Sequence, residues 1–239
     1  TGDLATDVGD AREGADEGYA AMKIKVGGKP VDQDIERTNA IGDALAGAVQ
    51  LSSDTNQGWN RDEAVSFARG ASAVLDFLEQ PLHGHDVEGM AMIAGESSCP
   101  IAADEGLHSF DDVRRHHAMG AAQGGSVKMI KLGGVTRAHE ATKLFAELGM
   151  NVNLAGKTAE TSVSSAAVLH LAASARTLAW GVSPTTPYLA TDVVRNPIAV
   201  VGGHVSTPDG PGLGVEVDED KLATYARALN GRTTRSADK

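Results

Sequence analysis

The feature that most constrains this chain is a repeat. Short β-rich runs alternate with longer stretches rich in alanine, glutamate and arginine, whose apolar residues recur at helical spacing. Strands are expected at 22–26 (MKIKV), 49–53 (VQLSS), 74–78 (VLDFL), 100–103 (PIAA), 126–130 (SVKMI), 150–154 (MNVNL) and 177–181 (TLAWG). Helical stretches at 32–46, 60–73, 86–95, 110–119, 135–148 and 160–173 separate or follow them. Alternation of this kind implies an α/β fold with a parallel sheet and crossover helices, either closed into a barrel or open and doubly wound. A leucine-rich solenoid repeats at a similar length, but its leucine consensus is absent.

Composition narrows the function. The net charge of −11 argues against nucleic acid as a partner and disfavours an anionic membrane surface. The single cysteine, Cys99, excludes an internal disulfide framework and reads as a small buried side chain. No apolar run of about 18 residues and no signal-like leader is visible. A soluble, cytoplasmic protein is the expectation.

The polar residues at the carboxyl ends of the strands carry the chemistry. Lys23 and Lys25 interrupt an apolar strand two positions apart, so both ammonium groups share one face. Lys25, Asp54, Glu79, Asp104 and Lys128 lie in the strings KIKVG, SSDTN, FLEQP, AADEG and SVKMI, at successive steps of 29, 25, 25 and 24 residues. That regularity puts each at the same level of its repeat unit, which in a (β/α) barrel is the catalytic mouth. Singly, each acid could cap a helix or lie solvated in a loop. Together, three carboxylates from consecutive strands repel unless a cation sits among them, and hard oxygen ligands suit Mg²⁺ or Mn²⁺. Counting the strand of Lys25 as n, the acids fall on n+1 to n+3 and Lys128 on n+4. In an eight-stranded barrel n and n+4 are opposite, so one amine would face each side of a bound substrate.

These strings also resemble a family. The KxK strand (Lys23, Lys25), the DxNxxW string (Asp54, Asn56, Trp59), EQP (Glu79), the DE pair (Asp104, Glu105) and the lysine ahead of a GG turn (Lys128, then Gly133 and Gly134) resemble the enolase superfamily. Within it they are similar to the muconate-lactonizing-enzyme subgroup of the mandelate racemase and muconate lactonizing enzyme family, and residues 160–172 and 209–218 extend the likeness toward the carboxyl end. The resemblance implies a modified TIM barrel of (β/α)7β type. It also implies Asp54, Glu79 and Asp104 as Mg²⁺ ligands, Lys25 and Lys128 as an acid/base pair, and Lys23 as a supporting cation. Glu105 stays open as an alternative third ligand, with the even spacing favouring Asp104. The implied chemistry is removal of a proton α to a carboxylate of a small-molecule substrate, as in amino acid catabolism, through a metal-stabilised enolate. A racemase or epimerase is the reading that two opposed lysines favour. A dehydratase or cycloisomerase uses the same enolate, and a catalytically silent barrel fragment that binds metal or a partner is the third reading.

The remaining residues are read more plainly. Asn56 shares the mouth with Asp54 and is expected to order the metal's surroundings, as are Glu105 and Glu160. Lys157, in AGKTAE, is placed to meet an anionic or hydroxylated substrate. His83 and His85 have no third metal partner in sequence and read as a solvated loop; Gly133–Gly134 reads as a tight turn, and Trp59 and Trp180 as packing residues. The resemblance implies an N-terminal capping domain and a first barrel strand ahead of the KxK strand, and both are expected to be missing from these residues. Residues 1–239 are therefore expected to form a single, N-terminally truncated barrel domain with two uncovered edges. The full-length form is expected to be a homo-oligomer.

Overall fold

A computed structural model of the chain describes residues 3–233. The elements run α1 (Leu4–Asp16), β1 (Ala21–Lys25), α2 (Val31–Leu45), β2 (Gln50–Asp54), α3 (Arg61–Ala71), β3 (Phe77–Glu79), α4 (Val87–Glu96), β4 (Ile101–Ala103) and α5 (Phe110–Ala118). They continue as β5 (Gly124–Val127), α6 (Met129–Leu132), α7 (Val135–Glu147), β6 (Asn151–Ala155), α8 (Ser162–Ser174), β7 (Val182–Ser183) and α9 (Glu219–Thr233). All seven strands pair in parallel and in chain order, forming a curled half-barrel. Among the described residues β1 and β7 do not pair with each other, which leaves the two free edges that the sequence led one to expect. No helix among the described residues is long and apolar enough to cross a membrane.

Strand alternation sorts the side chains into two layers. Ile24, Leu51, Leu78, Ile101, Val152 and Leu154 belong to one continuous core with Ile41, Phe67, Met90, Val113, Phe145 and Val168 of the helices. The opposite parity carries Lys23, Lys25, Ser52, Asp54, Phe77, Glu79 and Asn153, which line the concave side. Helix starts follow local chemistry. Asn60 accepts hydrogen bonds from the amides of Asp62 and Glu63 while its own amide donates to the Glu63 carboxylate, a closed capping box that begins α3 directly after the β2 exit loop.

Three expected strands are displaced. The run expected at 126–130 ends at Val127, because the chain turns into one helical turn that closes with the amides of Gly133 and Gly134 both donating to the Met129 carbonyl. Gly133 and Gly134 have φ of 90° and 117°, a conformation glycine adopts without penalty. The run expected at 74–78 begins with a 3-10 turn at Ser72–Val74, and its strand starts only at Phe77. The run expected at 177–181 forms no strand; the strand follows it at Val182–Ser183, and Trp180 instead stacks on Phe77 at 4.3 Å.

Trp180 also fixes what β5 can tolerate. A Cβ on Gly124 would press into the Trp180 ring and the Asn151 carbonyl. Gly124→Ala is therefore expected to destabilise the fold by about 1–3 kcal/mol, the usual penalty of overpacking, read as a lower urea midpoint.

Candidate active site

The first three site residues end their strands in register. Lys25 pairs with Asp54, and Asp54 pairs with Glu79. Glu79 pairs with Ala102 rather than Asp104, so Asp104 stands two residues farther along, and Lys128 lies four residues beyond Gly124, the partner of Ala102. Even offsets keep every residue on the concave face, and the climb is the stagger that tilted barrel strands impose.

Asp54, Glu79 and Asp104 are 3%, 1% and 0% exposed, so their charges need partners inside the protein. Each has one. Lys25 donates to Asp54, Lys23 to Glu79, and Lys128 to one oxygen of Asp104. Lys131, which sequence reasoning missed, donates to the other oxygen of Asp104 and to its backbone carbonyl, and reaches the Ser126 carbonyl at 3.2 Å. Three buried carboxylates thus face four ammonium groups.

Neutral donors and acceptors hold this set. Ser126 donates to Glu79 Oε1 at 2.6 Å and to Asn153 Oδ1 at 3.3 Å. Lys25 Nζ also donates to Asn56 Oδ1 at 2.8 Å; Asn56 donates its amide to Asp54 Oδ1 at 2.9 Å and its side chain to Glu105 Oε1 at 3.0 Å. Asn56 adopts φ of 47°, which asparagine tolerates. Gln80, also missed, is fully buried at φ of 38° and accepts the amides of Asp104 at 2.7 Å and Gly106 at 3.1 Å, while its side-chain nitrogen donates to the Leu82 carbonyl. It sets the backbone from which Asp104 and Glu105 project in different directions.

Burial sets the proton affinities. Burial raises the Glu79 carboxyl above the ordinary range, with Asp54 and Asp104 adding to the rise and Lys23 opposing it. Burial acts the same way on Asp104, but Lys131 and Lys128 together outweigh it and hold that carboxyl below the ordinary range. Burial pulls Lys128 down, yet Asp104, Glu79 and Glu105 carry it above the ordinary lysine value. Lys131 is left below that value, by burial first and by the nearby charge of Lys128.

A cavity of about 600 Å³ is lined by Lys23, Lys25, Asp54, Asn56, Glu79 and Lys128, and by Lys157, Thr185 and Tyr188. Asp104 and Glu105 do not line it. Glu160 is also outside the lining; it accepts from Ser164 at 2.8 Å, in the first turn of α8. His83 and His85 are exposed, with ring centroids 5.1 Å apart, and Trp59 packs on Phe67 at 4.5 Å. No three acid, histidine or cysteine side chains among the described residues stand close enough as they are to share an ion. The donor set itself fits a hard divalent cation. Asp54, Glu79 and Asp104 are buried oxygen donors from adjacent strands, and the ammonium groups against them stand where positive charge is required.

Residues 7–221 match the family described as enolase C-terminal domain-like, and the chain belongs to that family. It is 32% identical to a chloromuconate cycloisomerase of Cupriavidus pinatubonensis over 98% of its own length, and 31% identical to an L-Ala-D/L-Glu epimerase of Bacillus subtilis over 86%. The chain spans 64% and 57% of those two proteins. A muconate cycloisomerase from Pseudomonas fluorescens superposes with a TM-score of 0.88 at 27% identity, covering 94% of this chain and 63% of that one.

Lys131 has a measurable weight here. Lys131→Met leaves a buried carboxylate oxygen unpaired and is expected to lower stability by about 1–3 kcal/mol at pH 7. Because Asp104 is held below its ordinary value of 3.8, the stability it contributes is present above that value and is lost as pH falls through the depressed one. The gap between wild type and variant in urea denaturation should therefore close in strong acid.

Proposed function

We propose that this chain forms the catalytic barrel of a Mg²⁺-dependent racemase or epimerase that removes and returns the proton α to a carboxylate. The observation that carries the reading is the placing of two lysines, Lys25 at the end of β1 and Lys128 just past β5, in the lining of one cavity with acids between them. Asp54, Glu79 and Asp104 would hold the ion, releasing their lysines to do so. When bound, it supplies positive charge at the substrate carboxylate, where enolate charge develops.

The chain's own residues then divide the work. Neutral Lys25 takes the α-proton from one face and becomes an ammonium; protonated Lys128 gives a proton to the opposite face and becomes neutral. The reverse direction exchanges the roles. Asn56 keeps the Lys25 amine directed through its 2.8 Å contact, and Lys23 supports Glu79. Lys157, which also lines the cavity, would meet an anionic or hydroxylated part of the substrate away from the reacting carbon. An N-succinyl-L-Arg/Lys racemase of Bacillus cereus is 30% identical over 86% of this chain, and its name, like that of the epimerase, describes inversion at an amino-acid centre.

Cycloisomerisation is the second reading. Cycloisomerases from several bacteria match 95% or more of the chain, and one lysine would then act as the base or acid with the other as an electrostatic partner.

Incubation in D₂O with epimeric pairs of acyl or dipeptide amino acids separates the readings. Inversion predicts deuterium at the α-carbon of both epimers, whereas turnover of muconate without such exchange would replace it with cycloisomerisation. Lys25→Ala and Lys128→Ala should each abolish exchange from one epimer by about 10²–10⁴-fold and spare the other. Removing divalent ions with a chelator should stop exchange from both, and Mg²⁺ should restore it.

A further inference from the structure

Lys25 has a side chain 64% exposed, so packing does not fix where its amine enters the cavity. Its backbone, in contrast, is held from α2. Arg37 Nη2 donates to the Lys25 carbonyl and meets Asp34 Oδ1 at 3.1 Å, while Arg37 Nη1 reaches Asp7 at 3.2 Å. The other oxygen of Asp34 accepts the Gly27 amide at 2.7 Å. Asp34 and Arg37, one helical turn apart, therefore grip the peptide groups on both sides of Val26.

Asp34 is fully buried and Arg37 is 8% exposed. A buried ion pair is weak as a source of stability, since apolar residues of similar volume serve a core as well. What this pair provides that apolar residues could not is a donor for the Lys25 carbonyl and an acceptor for the Gly27 amide. The gripped loop also has a seat. Gly27 adopts φ of 85°, and a Cβ there would come within 3.2 Å of the Thr55 carbonyl, next to the Asn56 that receives the Lys25 amine. We propose that Asp34 and Arg37 are positioning residues for Lys25, fixing from behind the sheet the height and direction at which its amine meets the substrate. The inference rests on the reading of Lys25 as the acid/base group of one face.

That face-specificity supplies the test. Arg37→Met, with Arg37→Lys as the milder variant, is assayed for α-proton exchange in D₂O from L-Ala-L-Glu and L-Ala-D-Glu, and Lys25→Ala identifies which epimer presents its proton to Lys25. Displacing an amine by about 1 Å costs on the order of 10²-fold in rate. Arg37→Met should lower kcat for the Lys25-facing epimer by about 10–10²-fold and leave the other within about threefold, with Arg37→Lys intermediate. Equal losses for both epimers, or none for either, overturn the proposal. A second readout is independent of substrate: amide hydrogen exchange of Gly27 followed by NMR. Arg37→Met should speed it at least about tenfold while amides of β5 keep their wild-type rates. If wild type exchanges neither dipeptide but Gly27 behaves so, the backbone grip stands and the functional reading is what fails; unchanged Gly27 exchange overturns the grip itself.

Discussion

Three carboxylates buried at the ends of neighbouring strands cannot all stay ionised unless cationic groups lie against them. In this chain Lys23, Lys25, Lys128 and Lys131 provide that charge, and most of the surrounding polar structure serves to keep the seven groups in place. Ser126 and Asn153 give Glu79 a polar floor where a barrel interior is more often filled with branched apolar side chains. Gln80 fixes the backbone of Asp104, and Asn56 links Lys25 to both Asp54 and Glu105. Burial raises both Glu79 and Asp104; at Asp104 two lysines outweigh it, whereas at Glu79 a single lysine does not, with Asp54 and Asp104 adding to the rise.

The named acids and lysines occupy one stretch of the sheet. The acids come from three adjacent strands and the lysines from the strands on either side, so the whole constellation lies within β1 to the turn after β5. Segments after β6 and β7 also line the cavity, through Lys157, Thr185 and Tyr188. Under the proposed function, chemistry and substrate choice would fall on different parts of the sheet; the relatives that the chain resembles include cycloisomerases, an epimerase and a racemase.

Much of this was legible in the sequence because strand parity is a strict rule. Lys23 and Lys25, or Ser52 and Asp54, share a face from spacing alone, and the terminal position of each acid follows from the turn residues after it. The stagger between Glu79 and Asp104 was not legible, since it depends on strand tilt across the sheet rather than on either strand. Lys131 was not legible, because a strand continued past Lys128 points residues three apart to opposite faces, whereas the turn of helix at Met129–Leu132 brings Lys131 back beside Lys128. Gln80 was hidden because its role depends on a positive φ that no residue type announces.

The central claim is spatial: an acid ring that takes a divalent ion, with one amine on each side of the reacting carbon. Anomalous diffraction from crystals soaked with Mn²⁺ and a carboxylate substrate analogue tests it most directly. The account predicts one strong peak bounded by Asp54, Glu79 and Asp104, with Lys25 and Lys128 approaching opposite faces of the analogue. A peak held by other residues, or both amines on one face, would contradict it.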